Sequence, residues 1–149
     1  MRTSLLLLIA VLLAGCSTPC CRRGSSADLT SAPETVTIDG RTFRLQAELW
    51  RDFQPVAPPD GQPMMAIARV AADDNMPLPD DIAIDRLWVL NGRKQWSAAT
   101  AEQPERLTAY ASGGPKWGPG INVDVVTRLA RGSDTWLVRA AGVRIKRTD

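Results

Sequence analysis

Thr35-Val36-Thr37-Ile38-Asp39-Gly40-Arg41-Thr42-Phe43-Arg44-Leu45-Gln46-Ala47-Glu48-Leu49-Trp50 is the stretch that decides the fold. Two runs rich in β-branched and alternating apolar residues flank Asp39-Gly40, the dipeptide that supplies the positive backbone angles of a two-residue hairpin turn. The register this turn sets puts Val36 opposite Phe43. Along the second strand Phe43, Leu45, Ala47 and Leu49 then face inward while Arg44, Gln46 and Glu48 face outward, which describes a sheet with one dry face and one wet face. By the same parity Trp50 falls on the outer side, where the strand gives way to Arg51-Asp52-Phe53-Gln54-Pro55.

Working outward, residues 55–63 contain Pro58-Pro59-Asp60-Gly61, a turn cluster that neither a helix nor a central strand tolerates. Residues 64–72 are nearly all apolar apart from Arg69 and read as a buried strand. Residues 84–90 and 94–99 flank Asn91-Gly92, a second hairpin signal. In that register Leu87 pairs with Trp96 and Val89 with Lys94, so Trp88 shares the outer face with Arg86, Arg93 and Gln95. Such company leaves two readings of Trp88: a neighbouring element covers it, or it stacks against arginines. Residues 107–111, 121–129, 135–140 and 143–145 give further short strands, the last two separated by a bend at Gly142. About eight strands between Gly, Pro and Asn turns, with no helical period, define an all-β fold. The predicted architecture is an antiparallel β-sandwich, immunoglobulin-like, with a small β-barrel as the alternative.

The amino terminus has a different logic. Arg2 is followed by an apolar run from Leu5 to Leu13 and then by Ala14-Gly15-Cys16, the three-part plan of a secretory signal. The run is too short to cross a bilayer, which takes about 20 apolar residues. Leu13-Ala14-Gly15-Cys16 resembles the lipobox of bacterial lipoproteins. The resemblance implies that Cys16 receives a diacylglyceryl thioether, that residues 1–15 are removed as a signal peptide, and that the new amino terminus is acylated with a fatty acid such as palmitate. Ser17 follows the cysteine in place of the Asp that resembles an inner-membrane retention signal. The expected location is therefore the cell envelope, and in a Gram-negative cell the outer membrane, facing the periplasm. Residues 16–34 are rich in Ser, Thr, Pro, Gly and Ala and read as a flexible tether, leaving residues 35–149 as the folded domain. Residues 50–63 together with 114–129 resemble segments of uncharacterised bacterial exported proteins, a likeness that brings no activity with it.

Composition narrows the function. The 149-residue chain carries 18 Lys and Arg against 16 Asp and Glu. Removal of the signal peptide takes away one cation, Arg2, so the balance is near even and gives no reason to propose nucleic acid as a partner. The chain has no histidine, so Ser-His-Asp and Cys-His sites cannot be built. No cofactor or metal is expected. The acidic stretch from Asp73 to Asp81 matches no calcium-loop spacing and is broken by Pro77 and Pro79. The carboxylate pairs Asp52 with Asp60 and Asp80 with Asp81 have nothing in the sequence to bring them together, and the chain is read as not an enzyme. Cys20 and Cys21 have three available fates: a disulfide to another chain, a strained bond to each other, or free thiols.

The remaining signal is aromatic. Five tryptophans stand against one tyrosine and two phenylalanines, and Gly113-Gly114-Pro115-Lys116-Trp117-Gly118-Pro119-Gly120 forms a tightly bent loop without the spacing of a phosphate loop. Trp50, Phe53, Trp88, Lys116 and Trp117 are the candidate binding residues, since Trp beside Lys or Arg is the composition of interface hot spots. For Trp117 the competing role is a plug at the open end of the fold. The expected function is a lipid-anchored, non-catalytic binding or adaptor domain that engages an envelope protein through loops, with a carbohydrate-binding module and a purely architectural lipoprotein as alternatives. Replacing Cys16 by Ala should abolish fatty-acid labelling of the chain and move it out of the membrane fraction; a labelled, membrane-bound Cys16→Ala protein would refute the anchor.

Overall fold

The computed structural model describes residues 26–100 and 107–149. The signal peptide, Cys16, Cys20 and Cys21 lie outside the described residues. The elements in chain order are a short helix, α1 (Ser26–Thr30), and eight strands: β1 (Thr35–Ile38), β2 (Arg41–Asp52), β3 (Met64–Ala72), β4 (Ala83–Asn91), β5 (Lys94–Ala99), β6 (Thr108–Gly114), β7 (Asn122–Arg131) and β8 (Asp134–Thr148). The all-β class read from the sequence is the class observed. Among the described residues no helix is long and apolar enough to cross a membrane.

The strands form one sheet in the order β5-β4-β7-β8-β2-β3-β6, with β1 added to β2. The sheet curls until it is nearly closed like a barrel, a form compatible with either a sandwich or a small barrel. One edge of the long strand β2 is shared: β1 pairs with its first residues, Arg41 to Arg44, and β8 with its last, Leu49 to Asp52. The β2–β8 pairing is parallel, a departure from the all-antiparallel expectation. It arises because β8 is long enough to run antiparallel along β7 and then continue beside β2. The two strands expected around Gly142 are thus one, with an irregularity where Val123 pairs with Val143 and Val125 with Ala140. Gly142 takes a φ of 65° there and donates its amide to Asp124 Oδ1 at 2.9 Å, the unpaired extra residue of a bulge turning the strand from one partner to the next.

The first hairpin forms as the Asp-Gly signal dictates. Asp39 and Gly40 both have positive φ, and Val36 faces Phe43. Phe43, Leu45 and Leu49 are buried and Arg44, Gln46 and Glu48 exposed. The second hairpin turns one residue later than Asn91-Gly92 suggests. Asn91 is the last paired residue of β4, opposite Lys94, and Gly92 with φ 57° takes the first central position. Leu87 therefore pairs with Ala98 and Val89 with Trp96. The offset from the expected register is two residues, so every side chain keeps its face.

Inside, Phe43, Leu49, Met64, Leu87, Leu129 and Ile145 pack with small residues from the β3–β6 side, Ala66, Ala68, Ala109 and Ala111. A second cluster lies on the outer surface of β4 and β7, where Trp88, Leu90 and Val126 are covered by Leu29 and Ala32. The residues just before β1, expected as tether up to residue 34, are therefore in part packed structure. Leu29 is 1% exposed, and Arg139 fastens the segment through its amide to Pro33 O at 2.8 Å and its Nη1 to Thr30 O at 2.9 Å.

The two ends of the sheet meet at a seam between β5 and β6. There Trp96 lies over Gly114, and a Cβ at position 114 would sit 2.9 Å from the indole ring. Gly114→Val should lever Trp96 out of the seam and destabilise the domain by about 1–3 kcal/mol; urea unfolding reads the loss. Wild-type stability in this variant would show that the seam is not closed by that contact.

Candidate functional site

β2 ends with an arginine whose parity is inward. Arg51 is 3% exposed, and its guanidinium donates to main-chain carbonyls. Nε donates to Gln62 O at 2.9 Å, Nη1 to Gly118 O at 2.6 Å and to Lys116 O at 3.2 Å, and Nη2 to Asp60 O. One side chain thus joins two loops, residues 53–63 and residues 115–121. Lys116 adds a second bond between them, with Nζ 2.7 Å from both oxygens of Asp60. That hydrogen bond holds the Asp60 carboxyl below the usual carboxylate range.

Phe53 completes the junction. Its ring lies between two guanidinium groups, Arg51 at 5.0 Å and Arg147 at 4.1 Å from the centroid, a geometry that gains from the negative face of the ring. Beneath it Gly61, with φ 76°, leaves room that a side chain would fill, since a Cβ would fall 2.6 Å from the ring. The Phe53 amide donates to Thr148 O at 2.8 Å, and the Gly120 amide to Ile145 O at 2.8 Å. The end of β8 and both loops are therefore joined to one another. At its rim Val56 is 92% exposed and Ile121 37%.

The candidate residues separate accordingly. Phe53, Lys116 and Trp117 come together at this end. Phe53 is stacked, Lys116 is ion-paired, and Trp117 is partly buried against the main core, the position of a plug. Trp88 is corrected as a binding residue: it is 8% exposed under Leu29 and Ala32, and so cannot meet a partner. The covering element is α1, which resolves why a tryptophan stands on the face of Arg86.

Trp50 lies apart from these, on the outer face of β2. It pairs across to Met65, and in the next row Ile67 pairs with Tyr110. All four lie at the outward parity of their strands; Trp50, Met65 and Ile67 are half-buried and Tyr110 is 38% exposed, an apolar patch across three strands. Met65, Ile67 and Tyr110 were missed in the sequence because β3 reads as buried on both faces; only knowledge of its neighbours tells which side faces water.

Most of the described carboxylates are paired. Asp73 pairs with Arg44, Asp74 with Arg41, Asp85 with Arg128, and Arg131 bridges Asp39 and Asp81. Arg41 Nε and Nη2 on Asp74, at 2.7 and 2.9 Å, together with the Met76 amide, hold that carboxyl down at about 2. Asp52 accepts from the Gln54 amide at 3.0 Å. Among the described residues no group of three or more potential metal ligands occurs. Hollows lie between Arg44 and Arg139, about 320 Å³, and beside Gly120 and Arg144, about 240 Å³. No protein-family model, curated protein or solved structure matches the chain.

Arg51→Met keeps much of the apolar stem while orphaning four carbonyls. Hydrogen bonds to charged groups contribute roughly 1.5–3 kcal/mol each, so the variant should lose about 3 kcal/mol or more in urea unfolding. Faster amide exchange in both loops should accompany it. An unchanged midpoint would mean that the loops hold themselves.

Proposed function

We propose that this protein is a lipid-anchored, non-catalytic envelope domain that binds a protein partner through the outer face of β2, β3 and β6. The observation that carries this reading is the patch of Trp50, Met65, Ile67 and Tyr110. The outward residues Met65, Ile67 and Tyr110 of β3 and β6 extend the apolar surface of Trp50, with Glu48 opposite Ile67 and Lys146 beside Trp50 at its rim, and apolar patches rimmed by polar residues mark interaction surfaces. Tryptophan and tyrosine supply large contact area with little side-chain entropy to lose. The absence of histidine from the chain and the pairing of its carboxylates support a binding rather than a catalytic role. The anchor rests on the lipobox resemblance at Cys16, and the envelope location follows from it.

The test is cross-linked capture from intact cells with a tag after Asp149, comparing wild type with Trp50→Ala. Truncating a central anchor at a hot spot costs about 2 kcal/mol or more, so capture of the wild-type partner should fall by at least tenfold while thermal stability stays close to wild type. Equal capture by the two chains would rule out the Trp50 face. Recovery of glycan in place of protein would move the protein to the carbohydrate-binding class.

A further inference from the structure

The charges that find no partner are unevenly placed. Among the described residues Arg86, Arg93, Lys94 and Arg144 make no hydrogen bond or ion pair, although nearly every neighbouring charge does. Arg93 and Lys94 form the exposed tip of the β4–β5 hairpin. Leu90 pairs with Asp124, close to the start of β7, and Asn122 pairs with Arg144. The tip, Arg144 and the two loops pinned by Arg51 therefore share one end of the barrel. The same end carries Val56, 92% exposed on its pinned loop, and Ile121.

We propose that this end of the barrel docks on a phospholipid surface with anionic headgroups, Arg93, Lys94 and Arg144 meeting phosphates while Val56 and Ile121 enter the interface between them. Apolar side chains and unpaired cations at one end of the fold are the combination of an interfacial membrane contact. An acidic protein would match the cations equally; the chain length favours lipid. Only residues 17–25 separate Cys16 from α1, a reach of at most about 30 Å. α1 in turn is packed against Trp88 and Leu90, beside the hairpin. The inference uses the anchor reading to bring the domain to the bilayer, but the docked face is argued from the barrel alone. The short tether then serves to hold the domain against the membrane and not away from it.

The experiment compares full-length protein on phosphatidylcholine vesicles with the same protein on vesicles containing about one third phosphatidylglycerol. Vesicle flotation reads retention and amide hydrogen exchange reads contact. Docking predicts slowed exchange at residues 92–94 and at Val56 and Ala57 on the anionic vesicles only, relieved by salt as surface charge is screened. Each cation near an anionic surface is worth about a fivefold change in the docked-to-free ratio, so Arg93→Gln with Lys94→Gln should lower it by roughly 25-fold. Both side chains are exposed and unpaired, so the double variant keeps its fold. Val56→Asn should weaken docking without touching charge. Equal exchange on the two vesicle types, or an unaffected double variant, overturns the docking and leaves the anchor standing. A chain that leaves neutral vesicles but shows slowed exchange on anionic ones removes the anchor and upholds the docking.

Discussion

A guanidinium 3% exposed, bonded to four main-chain carbonyls, is the constraint on which one end of this barrel depends. The loops it joins are unusual in their hydrogen-bond inventory. Pro55, Pro58, Pro59 and Pro63 in one, and Pro115 and Pro119 in the other, each contribute a carbonyl but no amide. Two such loops brought together hold more acceptors than donors, and buried acceptors left without partners cost roughly 1–3 kcal/mol each. Arginine has five donors and no acceptor, so Arg51 corrects the imbalance in a single side chain. Lysine would present a point charge in place of a fork, and could not span Gln62, Asp60, Lys116 and Gly118 at once. The desolvation of the charge is offset because each named partner is a carbonyl dipole aimed at it.

From that junction the order propagates outward. Phe53 is clamped between Arg51 and Arg147, and its amide ties the end of β8. The opposite end is held by another device, exposed ion pairs such as Arg41 with Asp74 and Arg131 with Asp39 and Asp81, each worth little on its own. The loops at the Arg51 end are thus the more deeply fastened, and they are the ones that expose Val56.

Much of the fold was legible because its signals are local. Asp39-Gly40 fixed a turn type, and alternation from Phe43 to Leu49 fixed the face; both needed no knowledge of distant residues. The residues 64–72 strand was equally plain. What escaped reading was non-local. α1 is five residues long with one large apolar side chain, Leu29, a pattern too weak to separate from a tether until Trp88 is seen beneath it. Gly142 looked like a break between two strands because a bulge and a chain end share the same residue preference. Arg51 carried a signal that was passed over: it stands at the inward parity of Phe43, Leu45, Ala47 and Leu49. A charged residue at that parity, followed by a proline-rich loop, is a donor facing a surplus of carbonyls. Of the five residues read as binding candidates, Phe53, Lys116 and Trp117 lie at one end of the fold, where Phe53 stacks on guanidinium groups, Lys116 pairs with Asp60 and Trp117 packs on the core.

That reassignment bears on how such a domain achieves selectivity. A sheet of eight strands curled this tightly leaves an interior that side chains can fill, and here Phe43, Leu49, Leu87, Leu129 and Ile145 pack there with the alanines of β3 and β6. In the proposed binding role, recognition falls to the exterior and the rim. A rim of mobile loops would pay an ordering cost on every encounter. Loops already joined by Arg51, Lys116 and Phe53 have met that cost during folding, so whatever they contact is bound with less entropy to lose. In the proposed docking, the buried arginine and the exposed valine act as one device: the first holds the loop in place, and the held loop lets a lone apolar side chain at its tip contribute.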